Sequence, residues 1–152
     1  MPQHINPGLK EIETMNPIGL ISMQYARPFT AEHFPLFDKM KSLGYDFVEL
    51  LVPEPGELAP AETSRALKDA GLGVVLAARV NLQRNLCSDD ASARAAGVDY
   101  LRYATDVAAA MGSTIVGGPL TGNPLVFAGR PPQPVSDDQR KARKDHAVEG
   151  LR

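Results

Sequence analysis

A chain of 152 residues with 43% apolar and 22% charged side chains can build one packed domain, which excludes general disorder. Its formal net charge is −2 and its lysines and arginines are dispersed rather than striped, so no nucleic-acid partner is expected. The single cysteine, Cys87, excludes an internal disulfide framework, and no segment approaches the ~20 apolar residues of a membrane-spanning helix. A cytoplasmic protein without a membrane partner is the resulting expectation.

Residues 1–15 lack the apolar central region of a secretory signal and read as a flexible leader, with Met15 as an alternative start. The first strand is expected over Ile18 to Gln24. Thr30 then caps a helix carrying Phe34, Phe37, Met40 and Leu43 at helical spacing, with Pro35 early in it and Gly44 as its left-handed end. A second strand, Phe47 to Val52, alternates an aliphatic face (Val48, Leu50, Val52) with a face bearing Glu49.

Pro60 opens a helix through Ala66, Leu67 and Ala70 that ends at Gly71. The third strand, Gly73 to Asn81, sets Val74, Leu76 and Ala78 against Val75, Ala77, Arg79 and Asn81. Ser88, Asp89 and Asp90 form a helix start by side-chain capping and by acid at the positive end of the dipole, and that helix runs to Met111 and Gly112. A fourth strand, Thr114 to Pro119, precedes a Gly- and Pro-rich loop from Thr121 to Val135. Ser136 and Gln139 make a capping box for a last helix, with Ala142 and Val148 on its apolar face, inside which the sequence stops.

Strand starts recur at the spacing of parallel strand, helix, strand units, which implies right-handed crossovers. The expected class is therefore α/β, with four units where a closed eight-unit barrel needs ~250 residues.

The motifs are sparse. GLG at Gly71 to Gly73 precedes its strand, the wrong order for a dinucleotide fingerprint. TGNP at Thr121 to Pro124 reads as a turn. His4, His33 and His146 share no ligand spacing with one another or with Cys87, so no metal site is expected from them. No nucleophile elbow or Walker loop occurs, and no catalytic residue is assigned.

Glu49 stands out, because a carboxylate between aliphatic strand neighbours requires a partner or a task. Arg79, near the same end of the next strand, is the expected partner. The pair serves either as an ion pair inside the sheet or as a polar contact to a ligand at the strand ends. Arg79 with Asn81 can orient a hydroxylated or anionic ligand, and Gln24 and Tyr25 close the first strand with hydrogen-bonding groups.

Taken in order, GYDFVELL, AGLGVVLAARVN, YLRYATDVAAAMGS, TIVGGPL and HAVEGLR resemble the amino-terminal half of the sugar phosphate isomerase/epimerase family, the xylose isomerase-like TIM barrels, and within it the ketose 3-epimerases of the tagatose and psicose type. The resemblance implies that residues 16–152 are the first four βα units of such a barrel, truncated in the fourth helix. It also implies a sugar or sugar phosphate as ligand, and a divalent metal of the manganese, magnesium or cobalt type held by carboxylates and a histidine beyond Arg152. Proton transfer through an enediolate would occur there. The part present is then the substrate-side wall: Met23 to Tyr25 with Gln24, Glu49, Arg79 with Asn81, and Gly117 to Pro119 including Gly118. Self-association through exposed half-barrel edges is a further expectation. Two alternatives stay open: a hydroxypyruvate isomerase or inosose dehydratase type of the same superfamily, and a complete small doubly wound binding or regulatory module.

Overall fold

The computed structural model describes residues 16–121 and 134–152. The leader 1–15 and most of the loop between Thr121 and Val135, with part of the TGNP turn, lie outside them. Four strands, β1 (Gly19–Ile21), β2 (Phe47–Leu51), β3 (Gly73–Ala77) and β4 (Val116–Gly117), alternate with four helices, α1 (Pro35–Ser42), α2 (Pro60–Asp69), α3 (Ala91–Met111) and α4 (Asp137–Gly150). The sheet is parallel throughout and its order is β1-β2-β3-β4. A doubly wound sheet would reverse direction at a switch point. This order has no reversal, so the doubly wound alternative is not the fold of the described residues.

The strand alternation decides which face is buried. Val48, Leu50 and Val52 are fully buried, and with Leu76 they share one apolar cluster with Phe37 and Met40 of α1, Leu67 of α2 and Ala104, Val107 and Met111 of α3. Phe47, Glu49 and Leu51, on the other face of β2, stay half-buried. In a parallel sheet both faces ordinarily receive cover; here the helices cover one.

Boundaries differ from expectation in several places, among them the fourth strand, which spans Val116–Gly117 rather than Thr114 to Pro119. The first strand ends at Ile21, and Ser22–Gln24 form a 3-10 turn in which Tyr25 and Ala26 donate to the Ser22 carbonyl at 2.9 and 3.1 Å. The expected first helix is divided: a 3-10 turn over Ala31–His33 precedes α1, which Pro35 starts, because a proline's missing donor costs least at a first turn. Leu43 is 60% exposed rather than part of the core. The third strand stops at Ala77, and α3 is capped by Asp90, whose Oδ1 accepts from the Ser92 amide at 2.8 Å, two residues later than Ser88. In α4 the capping box of Ser136 and Gln139 is present, but Ala142 and Val148 are exposed and Ala147 is the buried contact. Gly44, Gly71 and Gly112 have the left-handed φ expected of helix ends, 91°, 69° and 83°.

Truncating a side chain that fills this cluster leaves a cavity. Leu50→Ala is expected to cost about 2–5 kcal/mol, whereas Leu43→Ala should stay within about 0.5 kcal/mol, as measured by denaturant unfolding.

Candidate functional site

Parallel strands joined by right-handed crossovers bring all their carboxyl ends to one edge, where side chains from successive loops meet. At that edge lies a small cleft of about 20 Å³, lined by Ser22 after β1, Leu51 and Pro53 at the end of β2, Glu57 in the β2–α2 loop, Arg79 after β3, and Phe29.

Beside the cleft is a hub centred on Arg84. Its guanidinium grips the Glu54 carboxylate at both oxygens, Nη1 to Oε2 at 3.1 Å and Nη2 to Oε1 at 2.5 Å. Its Nε donates to the Arg79 carbonyl at 3.3 Å. The same group stacks over the Tyr100 ring, 3.9 Å from the centroid, and the Tyr100 hydroxyl accepts from the Arg79 amide at 2.8 Å. One turn further along α3, the Tyr103 hydroxyl donates to the Pro53 carbonyl at 3.0 Å. The loops after β2 and β3 are thereby tied to one helix face.

Charges follow this geometry. The hydrogen bond from Arg84 holds the Glu54 carboxyl below the ordinary carboxylate range, and the reciprocal bond raises Arg84. Burial pushes the Tyr103 phenol up, and the nearby Glu54 charge adds to it. Arg79 is the less engaged of the two arginines. Its Nη2 lies 3.8 Å from Glu54 Oε1, beyond hydrogen-bond range, although only 30% of its side chain is exposed.

The expected site residues separate into two groups. Arg79 lines the cleft, and Gly118 sits against the backbone just before it: a Cβ on Gly118 would lie 2.5 Å from the Ala78 carbonyl, and its φ of +105° is unfavourable for other residues. Gln24 and Tyr25 belong to the turn after β1, both exposed, with the Lys39 ammonium 5.8 Å from the Tyr25 ring centroid. Asn81 is committed to its own loop, where Oδ1 accepts from the Gln83 and Arg84 amides at 2.9 Å each.

The expected pairing of Glu49 with Arg79 is not formed. The register sets Glu49 opposite Val75, which leaves Arg79 four residues, about 13 Å, further along the sheet. Glu54, in the loop beyond β2, occupies that level instead. Sequence reasoning also passed over Arg84, Tyr100, Tyr103, Glu57 and Ser22. Two tyrosines three residues apart on α3, on the face toward the strand ends, were the available signal.

Among the described residues no three His, Cys, Asp or Glu side chains lie together as a metal-holding group. Glu54 is already engaged by Arg84, and Glu57 of the cleft lining accepts from the Glu54 amide. These residues do not fit a divalent ion.

The sequence model of a family described as xylose isomerase-like TIM barrel matches residues 37–152. The chain belongs to that family. It is 26% identical over 137 residues to the D-psicose 3-epimerase of Agrobacterium fabrum, a match that spans 88% of this chain and 46% of that enzyme. Among solved structures, an L-ribulose 3-epimerase superposes with a TM-score of 0.75 at 19% identity, over 90% of this chain and 45% of the other. A D-allulose 3-epimerase from Methylomonas sp. gives 0.71 at 23% identity, over 88% and 45%. The chain thus spans about half the length of these relatives, and its four βα units have the fold of half of a (β/α)8 barrel. No helix of the described residues is long and apolar enough to cross a membrane.

The Glu54 carboxyl loses protons more readily in the folded than in the unfolded chain, so its contribution is complete above about pH 4.3, the ordinary glutamate value, and is lost as pH falls through the lower folded value. The stability gap between the native chain and Glu54→Gln is therefore expected to be constant near neutrality and to shrink in acid. Urea unfolding from pH 7 to pH 3 measures it; a gap that persists undiminished at pH 3 would contradict the assignment.

Proposed function

We propose that residues 16–152 are the first four βα units of a sugar isomerase or epimerase barrel and form the wall against which an open-chain ketose lies. The observation that carries this is the cleft at the strand carboxyl ends with Arg79 in it, on the edge where barrel enzymes of this architecture work. Family membership and the similarity to the Agrobacterium fabrum D-psicose 3-epimerase support a ketose as the substrate class and carbohydrate metabolism as the setting.

In this reading the chain's own residues bind and orient. Arg79 supplies donors toward sugar oxygens, Gly118 lets the backbone approach closely beside it, and Gln24 and Tyr25 border the entrance. Proton transfer at the carbon beside the carbonyl, and the divalent metal of the family, belong to other βα units of the barrel. The uncovered face of the sheet, with Phe47, Glu49 and Leu51, is where those units or a second copy of the chain would pack.

Two assays test the reading. The isolated chain with added manganese is expected to leave D-fructose unconverted. A chimera joining residues 16–152 to the carboxyl-terminal half of the Agrobacterium fabrum enzyme is expected to convert it. Turnover by a homogeneous sample of the isolated chain, or a folded chimera that binds no ketose, would overturn it.

A further inference from the structure

Arg79 and Glu57 share the strand-end cleft, and both have unspent hydrogen-bonding capacity. No side-chain nitrogen of Arg79 makes a hydrogen bond among the described residues; Nε is sealed from solvent without an acceptor, which leaves the two terminal nitrogens as the groups able to reach the cleft. Glu57 accepts from the Glu54 amide through Oε2 at 2.8 Å, and its other oxygen has no partner among the described residues. Ser22, almost fully buried, places a hydroxyl group in the same lining.

We propose that this trio is a subsite for one neutral hydroxyl group of the ligand, with Arg79 donating to the hydroxyl oxygen and Glu57 accepting its proton in a hydrogen bond. The inference rests on the sugar-wall reading and adds Glu57 and Ser22 to it as specificity-determining residues. Room and charge both accommodate a hydroxyl, and charge disfavours an anionic group. The space that a water-sized group can reach, about 20 Å³, has room for at least one oxygen-sized group. The charges also balance: Arg79 and Arg84 face Glu54 and Glu57, so an arriving anion finds no net positive site and meets a carboxylate in the lining. A hydroxyl, being donor and acceptor at once, satisfies Arg79 and Glu57 together. A water bound to the same groups would be displaced without loss of hydrogen bonds.

The test uses the whole chain, native and as Glu57→Gln, titrated with D-fructose, D-fructose 6-phosphate and inorganic phosphate while amide and arginine side-chain NMR signals are followed. A side-chain amide is a weaker acceptor than a carboxylate, so Glu57→Gln should weaken D-fructose binding by about tenfold. Arg79→Lys, which loses the planar fork but keeps the charge, should weaken it comparably. D-fructose should also shift the Arg79 side-chain signals, and inorganic phosphate should leave them unmoved. Fructose binding that shifts strand-end amides but neither moves Arg79 nor weakens in Glu57→Gln would overturn the subsite and leave the sugar-wall reading standing. Movement of Arg79 by inorganic phosphate would overturn it in favour of an anion site. Absence of any fructose response would overturn the sugar-wall reading and the subsite with it.

Discussion

The strand-end wall depends on one half-buried cation. With its side chain 19% exposed, Arg84 requires an acceptor, and it finds one in Glu54 from the preceding unit. The same group lies on the Tyr100 ring and bonds the Arg79 carbonyl, so one side chain joins the loop after β2, the end of β3 and helix α3. Bidentate geometry restricts both partners, which places Arg79 at the cleft with little freedom in its backbone. Glu54, by neutralising Arg84, leaves Arg79 as the cation with donors to spend.

Much of the fold was legible because it follows from periodicity. Val48, Leu50 and Val52 alternate, and the structure buries all three. Capping chemistry located α2 at Pro60 and α4 at Ser136. What failed was the reach of each element. The sequence from Ile18 to Gln24 carries strand-like residues, but Tyr25 and Ala26 both turn back onto the Ser22 carbonyl, and local pattern does not reveal such a turn. Leu43 kept the helical spacing of Phe37 and Met40 and yet falls at the helix end, where nothing lies over it.

The site was less legible, since it is made by register and loop closure. Opposite charges on neighbouring strands suggested Glu49 with Arg79, a pairing that requires them at one level; the parallel register separates them and brings Glu54 to the arginines. Asn81 reads as a ligand donor from its position, whereas the turn it heads consumes its side-chain oxygen. Tyr100 resembles any core aromatic in sequence. Its role appears only when the helix packs its hydroxyl against the Arg79 amide.

The most direct measurement is a double-mutant cycle on Glu54 and Arg84, with Glu54→Gln, Arg84→Met and both together, read by equilibrium unfolding at neutral pH. A bidentate pair that is partly shielded from solvent, with side chains 19% and 40% exposed, should couple by about 0.5–1 kcal/mol, the upper part of the range for exposed pairs. A coupling below about 0.2 kcal/mol, that of a solvated surface pair, would contradict the view that this contact holds the strand-end wall together.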